Sequence, residues 1–173
     1  SQSFALFGFE EAKPTARLTV QLGARIERVQ SAGFGVLPPG FDGSALVADI
    51  NDFGMDDKKH FTPLSSSIGF VYQLPLDMVL GTTAQYVQRA PALLELFAKG
   101  GHEATQTFEI GNPALAKEKA LSFEASFKKT EGNVTFSLSA FYTKFDGFIF
   151  KNFTGLVCGE EFDTCGIDGS PGV

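Results

Sequence analysis

Few side chains in this sequence can perform covalent or acid–base chemistry. Its only histidines are His60 and His102, and neither belongs to a recognisable set with a nucleophile and an orienting acid. Catalysis by a side-chain nucleophile needs a base within hydrogen-bond reach and a third group that orients that base. The sequence offers no such set, so we predict that the protein is not an enzyme and that it uses no cofactor.

The two cysteines, Cys158 and Cys165, lie in one stretch rich in glycine and acidic residues. No histidine or second cysteine pair lies near them, which argues against a zinc site. We predict a local disulfide between them, which implies an oxidising compartment; two reduced thiols in a loop are the alternative. The carboxylates of Glu160, Glu161 and Asp163 offer oxygen atoms to calcium, but their spacing matches no calcium loop. We therefore predict no metal site.

The composition limits the fold and the partners of these groups. Hydrophobic residues make up 43% of the 173 residues and charged residues 20%, which excludes a disordered chain. The formal net charge of −6 argues against nucleic acid as a partner. No apolar run reaches the roughly 18–20 residues that a membrane-spanning helix requires. Phenylalanine, which favours strands, occurs 19 times, so we predict an all-β fold.

Three pairs of stretches with alternating apolar and polar residues predict three antiparallel hairpins. A period of two places one face of each strand in an apolar medium and the other in water. Short turns connect the two members of each pair, whereas long connections follow each pair, at about 30–60, 90–117 and 151–173. The predicted strands cover residues 3–10, 17–29, 61–74, 78–88, 118–128 and 134–143.

The distribution of loops and aromatic residues favours a membrane barrel over a soluble sheet. Short turns at one end and long loops at the other are typical of outer-membrane barrels. Tyr72, Phe127 and Phe136 lie near the short turns, whereas Tyr86 and Tyr142 lie near the long loops, as in two aromatic girdles. A soluble sheet with one solvated face would show the same alternation. The alternative is therefore a soluble secreted β-sandwich binding module with long recognition loops.

The stretch 89–149 resembles the late barrel of TonB-dependent outer-membrane receptors. Spaced identities to a motif of that family coincide with the second long connection and with the strands on either side of it. The matching residues are Arg89-Ala90-Pro91, Glu95-Leu96-Phe97, Gly100 to Thr105, Phe108-Glu109, Gly111-Asn112-Pro113, Leu115, Glu118, and the strand from Ser139-Ala140-Phe141-Tyr142 to Phe148-Ile149.

The resemblance implies a 22-stranded barrel with an N-terminal plug in the outer membrane of a Gram-negative bacterium. Such receptors import scarce nutrients, such as metal chelates, siderophores, haem or cobalamin, with energy delivered by TonB through a TonB box. About six strands are predicted here, fewer than the about eight of the smallest closed barrels, and no stretch matches a plug or a TonB box. We therefore expect residues 1–173 to be a fragment of the barrel domain. Its expected partners are outer-membrane lipid and, through the missing N-terminal region, the TonB complex.

The same resemblance places the long loops outside the cell, where they control the entry of a small nutrient. Arg89, His102 and Glu103 are candidate ligand contacts there, because polar groups suit an anionic or metal-bearing ligand. The alternative is that this motif shapes the loop and starts the next strand. Neither the fold nor the motif identifies the nutrient.

Overall fold

The computed structural model describes residues 1–33, 57–102, 107–153, 157–158 and 165–166. The elements in chain order are β1 (Gln2–Thr15), β2 (Leu18–Gly33), β3 (Asp57–Phe61), β4 (Leu64–Leu74), β5 (Met78–Arg89), α1 (Leu93–Phe97), β6 (Lys99–His102), β7 (Thr107–Ile110), β8 (Glu118–Lys129), β9 (Phe136–Asp146), β10 (Val157–Cys158) and β11 (Cys165–Gly166). No helix within the described ranges is long and apolar enough to cross a membrane.

One antiparallel sheet dominates the described part of the chain. Six of its seven strands follow the order β1-β2-β4-β5-β8-β9. The seventh, β3, pairs with the far end of β2. The remaining strands form two separate ribbons of two strands each, β6–β7 and β10–β11. Each of the six strands along this path has at least 11 residues, and a strand needs about 9–11 to cross a bilayer. The predicted all-β class and the predicted three hairpins are confirmed.

Most apolar residues of the sheet lie on one side, which we call the outer face. One cross-strand row of this face consists of Leu22, Ile68, Ala84, Phe123 and Tyr142. The other side, the inner face, carries mainly polar and small residues. The adjacent row there consists of Gln21, Gly69, Thr83 and Glu124, with the exposed Phe141 as an apolar exception. The alternation predicted from the sequence is therefore confirmed by the register of the sheet.

The outer face has no protein cover within the described part of the chain. Ile26, Phe123 and Leu138 are 48%, 49% and 64% exposed, respectively. The fully covered hydrophobic residues are Leu96 and Phe97, which belong to α1 and lie outside the sheet. A β-sandwich would bury this face against a second sheet, so the architecture is that of a barrel wall and the sandwich alternative is not supported.

The aromatic residues of the outer face do not form the two separate groups that were predicted, because Phe70 and Phe123 lie between the strand ends and Tyr142 pairs with Phe123. Tyr72 and Phe127 belong to one cross-strand row near the short turns, with Leu80 between them. Tyr86 lies six residues further along β5 than Leu80, which corresponds to roughly 20 Å at a rise of about 3.3 Å per residue. The ring of Phe136 contacts that of Phe127 at a centroid distance of 5.3 Å.

The first hairpin differs from the prediction at its turn. The first strand, predicted to end at residue 10, continues to Thr15, and the chain reverses at Ala16 and Arg17. Pro14 has no N–H and lies within a register shift between Ala12 and Thr15, where it does not need to donate to β2. The hydroxyl oxygen of Thr15 accepts hydrogen bonds from the N–H groups of Arg17 (3.3 Å) and Leu18 (3.1 Å).

The first strand also has a defined facing, which the sequence left open. Leu6 pairs with Ile26 on the outer face, whereas Phe7 and Phe9 lie on the inner face opposite Arg25 and Gly23. Two exposed phenylalanines therefore interrupt the polar character of the inner face on β1.

The predicted strand 61–74 is two strands, because Pro63 interrupts it. Proline cannot donate to a ladder, and the pairing of β2 changes there from β4 to β3. The carbonyl of Pro63 instead accepts the N–H of Glu27 at 2.9 Å. The first long connection is consequently shorter than predicted, since Gln30 to Gly33 and Asp57 to His60 form paired strand.

The last hairpin is shifted towards the C-terminus. Strand β9 begins at Phe136 rather than 134 and continues to Asp146, so the connection from Lys129 is longer than the predicted tight turn. The prediction that no strand follows Phe150 is wrong, because β10 and β11 form a short ladder there. Glycine at 132 has a φ of 96°, which favours glycine in this connection.

Candidate functional site

An ion-pair cluster forms where β5 ends and β8 begins. Arg89 and Glu118 are cross-strand partners on the inner face, with 3.3 Å between Nη2 and Oε2. The other terminal nitrogen of Arg89, Nη1, lies 3.1 Å and 2.9 Å from the two carboxylate oxygens of Glu95. One guanidinium therefore binds two carboxylates, one from the next strand and one from α1. We call these three residues the Arg89 cluster.

Glu118 also fixes the chain beyond β9. Its Oε2 accepts the N–H of Ile149 at 2.9 Å, and its side chain is 12% exposed. Glu118 lies three residues before Leu121, the partner of Tyr86, and is thus on the loop side of the apolar band. The N–H of Ile149 and, to a smaller extent, the guanidinium of Arg89 lower the pKa of the Glu118 carboxyl. The same carboxylate therefore connects three segments of chain.

Glu95 positions the start of α1. The N–H of Ala92 donates to Oε2 of Glu95 at 2.6 Å, which satisfies one of the amide groups that the first turn of a helix leaves unpaired. Ala92 is extended, with a ψ of 159°, as expected for a residue that precedes a helix. Glu95 thus joins the helix start to Arg89 at the end of β5.

The turn predicted at Gly111-Asn112-Pro113 is present and binds the helix. The N–H of Asn112 donates to the carbonyl of Glu95 at 2.8 Å, and the N–H of Gly111 donates to that of Ala98 at 2.7 Å. A Cβ on Gly111 would lie 2.5 Å from the carbonyl carbon of Leu96, so this close backbone approach requires glycine. The motif residues at 95–97 and 111–113 are therefore parts of one folded unit.

The unit formed by α1 and the turn at 111–113 lies over the inner face and contacts β2. A Cβ on Gly33 would lie 2.2 Å from Cγ of Phe97, so the phenyl ring occupies the space that a larger residue at 33 would need. Ser31, two residues earlier on the same face, is 1% exposed, and Phe97 is 8% exposed. Strand β4 lies between β2 and β5 in the sheet. The loop between β5 and β8 thus covers part of the inner face at the loop end.

The helix end differs from the sequence prediction. Helix α1 ends at Phe97, and Ala98 is extended, whereas Gly100 and Gly101 were expected to end it. The two glycines lie in β6 opposite Glu109 and Phe108 of β7. The helical character that the sequence indicates at 92–98 is observed over Leu93–Phe97.

The structure describes two of the three predicted ligand contacts, and these two belong to different elements. Arg89 lies in its cluster on the inner face, and the backbone of His102 pairs with that of Thr107 at the end of β6. Glu103 lies outside the described residues. Sequence reasoning did not pair Glu95 and Glu118 with Arg89, although the family motif contained both, and it had no signal for Gly33.

The two cysteines are cross-strand partners. Cys158 of β10 lies directly opposite Cys165 of β11 in antiparallel register. Directly opposed residues of an antiparallel pair have Cα atoms about 4.5–5.5 Å apart, within the roughly 4.4–6.8 Å that disulfides span. This backbone arrangement suits the predicted disulfide, which stays a prediction. Glu160, Glu161 and Asp163 lie outside the described residues, and the described part holds no group of three or more potential metal ligands.

An open antiparallel sheet with an uncovered apolar face, a polar inner face and long loops at one end defines a wall segment of a membrane β-barrel. Residues 1–164 match the family model described as "TonB dependent receptor-like, beta-barrel". The chain belongs to this family of TonB-dependent receptors, which act in outer-membrane transport. The resemblance seen in the sequence is therefore confirmed over almost the whole chain.

Proposed function

We propose that this chain forms one sector of the barrel wall of a receptor that binds a scarce nutrient and imports it with TonB-coupled energy. The nutrient classes considered are metal chelates, siderophores, haem and cobalamin. The observation that carries the proposal is the contrast between the two faces of the sheet, since the outer face is apolar and uncovered while the inner face is polar. Such a wall separates lipid from a hydrated lumen.

The proposed location is the outer membrane of a Gram-negative bacterium. The outer face contacts lipid there, and the two edge strands, β1 and β9, pair with further strands of the same barrel, because unpaired strand edges cannot face hydrocarbon. The TonB complex would act through the N-terminal region of the parent receptor. In this arrangement the chain contributes to transport as part of the barrel wall.

For the nutrient itself, we propose that His102 and Glu103 contact it at the mouth of the barrel. Arg89 lies on the inner face of the sheet, but both of its terminal nitrogens already bind carboxylates. Contact between Arg89 and a ligand would therefore require an anionic group that replaces Glu95 or Glu118. In its present arrangement Arg89 contributes by holding the loop that carries α1.

Uptake measurements in cells test this proposal. Cells that carry or lack the full-length receptor, each with and without TonB, are supplied with labelled ferric chelate, haem or cobalamin. We expect uptake of one class to need both the receptor and TonB. The proposal would be contradicted if loss of the receptor left the uptake of every class unchanged. It would also be contradicted if receptor-dependent uptake persisted without TonB.

The candidate contacts have their own test. Replacement of His102 and Glu103 by alanine in the full-length receptor should weaken binding of the identified nutrient, while Glu124→Ala, on the inner face away from this loop, serves as the control. Unchanged affinity in the double variant would remove both residues from the site.

A further inference from the structure

Positive charge is concentrated in one region of the outer face, although the chain as a whole has a net charge of −6. We define the outer rim as the outer-face residues at or beyond the cross-strand row of Tyr86, on the side of the long loops. Its ionisable members are Arg28, Lys58, His60, Lys117, Lys119, Lys144 and Asp146.

One part of the outer rim lies on β2 and β3. Arg28 follows Ile26 on the outer face, and the pairs Gln30 with His60 and Ala32 with Lys58 place both basic side chains on that face. Arg28, Lys58 and His60 are exposed. Neither Arg28 nor Lys58 forms an ion pair within the described part of the chain, so both charges are uncompensated there.

The other part lies on β8 and β9. Lys144 is the cross-strand partner of Leu121 and lies two residues beyond Tyr142, exposed and without an ion pair to any described residue. Lys119 pairs with Asp146, with 3.0 Å between Nζ and Oδ2. Asp146 is the one carboxylate at the outer-rim strand positions that the structure describes.

Lys117 adds a further uncompensated charge between these two parts. Its Nζ donates to Oε1 of Gln88 at 2.6 Å and to the carbonyl of Thr62 at 2.9 Å. Both acceptors are neutral, so they satisfy the ammonium donors but leave the charge. Gln88 itself lies on the outer face and donates to the hydroxyl of Tyr86, which places this lysine at the edge of the apolar band.

The inner face at the same end has a different charge balance. Arg25 pairs with Glu27 at 3.1 Å, and Arg89 binds Glu95 and Glu118. The uncompensated cations described above therefore point to the lipid side of the wall and away from the lumen through which a nutrient passes.

We propose that the outer rim binds the phosphate groups of anionic lipids in the outer leaflet. The outer rim also contains the apolar residues Ile26, Leu64 and Leu121, so lysine and arginine stems can lie along these side chains while their charged ends reach the headgroups. Basic residues at this depth attract phosphorylated headgroups. The inference rests on the proposed membrane location, and the occupant is the lipid rather than the transported nutrient.

The experiment compares two triple variants of the full-length receptor that lose the same charge. Arg28→Gln, Lys58→Gln and Lys144→Gln remove cations from the outer rim. Lys13→Gln, Arg17→Gln and Lys128→Gln remove as many from the short-turn end. Each receptor is reconstituted in phosphatidylcholine nanodiscs with a minor fraction of bis-phosphorylated lipid A, and the lipid A retained after detergent extraction is counted by native mass spectrometry.

We expect the rim variant to retain several-fold less lipid A than the wild type and the control variant to retain as much. Dephosphorylated lipid A should be retained poorly by all three, and higher salt should weaken retention by the wild type. Equal retention by the two variants would overturn the inference. Displacement of lipid A by an equal concentration of inorganic phosphate would also overturn it, because it would show a site for a free anion.

Three further outcomes are informative. If the rim variant does not fold, as shown by the loss of heat-modifiable mobility, the single variants Lys144→Gln and Lys128→Gln replace the triple ones, with the same expected order of retention. If the wild-type receptor does not insert into bilayers, the proposed membrane location fails. If it inserts but retains no lipid A, only the lipid-binding inference fails.

Discussion

The ring of Phe97 occupies the space beside Gly33 that a side chain would fill, with Cγ 2.2 Å from the place of a Cβ. Phe97 belongs to the loop between β5 and β8, whereas Gly33 ends β2, two strands away in the sheet. This contact holds the loop against the inner face. A glycine at the end of a strand thus determines where a distant loop lies.

Gly33→Val should release this loop. The added side chain would overlap the phenyl ring, and overpacking typically costs about 1–3 kcal/mol, which corresponds to roughly a five- to 150-fold larger open fraction. Limited proteolysis of the full-length receptor at 89–118 should accelerate accordingly. Gly8→Val is the control, because nothing lies within 4 Å of a Cβ there. Equal cleavage rates in the two variants would show that Phe97 does not hold the loop.

Glu118→Gln should loosen the Arg89 cluster. The substitution preserves shape but removes the charge that attracts Arg89 and strengthens the bond from the N–H of Ile149. Hydrogen bonds to charged groups contribute about 1.5–3 kcal/mol, and we expect a loss at the lower end, because an amide oxygen still accepts. Hydrogen exchange at Ile149 should become faster, whereas Glu124→Gln, an exposed inner-face carboxylate, should leave it unchanged.

Acid should have the same effect as Glu118→Gln. Because the N–H of Ile149 and Arg89 lower the pKa of Glu118 in the folded protein, its carboxylate stabilises the fold at neutral pH. This contribution is lost as pH falls through that lowered pKa, below the ordinary value of about 4.3. Pepsin should cleave the loop of the wild type faster as pH falls through this range. The ratio of the wild-type cleavage rate to that of Glu118→Gln should therefore rise. A ratio that stays constant with pH would contradict the assignment.

The sequence was sufficient to predict the strands in which alternation is sustained. Strand β5 was predicted at 78–88 and β8 at 118–128, and each ends one residue later. The polar residues of 30–33 and 57–60 show no such alternation, because they pair beyond the apolar band. Their pairing is long-range and lies beyond Pro63, which separates β3 from β4.

The Arg89 cluster could be predicted only in part. The motif contained Arg89, Glu95 and Glu118, but their meeting depends on α1 turning back over the end of β5. Gly33 carried no sequence signal, because its role comes from a ring 64 positions further along the chain. Local patterns predict strand faces well, whereas contacts between loops and distant strands depend on the assembled sheet.

The opposed positions of Cys158 and Cys165 predict a disulfide in the mature receptor. Intact mass measured after alkylation, with and without prior reduction, should show two masked thiols that become reactive only on reduction. The matched control is Cys158→Ser, in which Cys165 should react without reduction. Two reactive thiols in freshly isolated wild-type protein would contradict the disulfide.

The two faces of β5 should tolerate a new positive charge to different extents. Ala84 lies on the outer face between Ile68 and Phe123, whereas the adjacent Gln85 lies on the inner face between Ser67 and Ser122. In a bilayer, Ala84→Arg places a guanidinium in hydrocarbon, which costs about 2–4 kcal/mol near the midplane. Gln85→Arg places the same group in the hydrated lumen and should cost little. Urea unfolding of the full-length receptor in vesicles should separate the variants by this amount; equal stabilities would mean that the apolar face does not contact lipid.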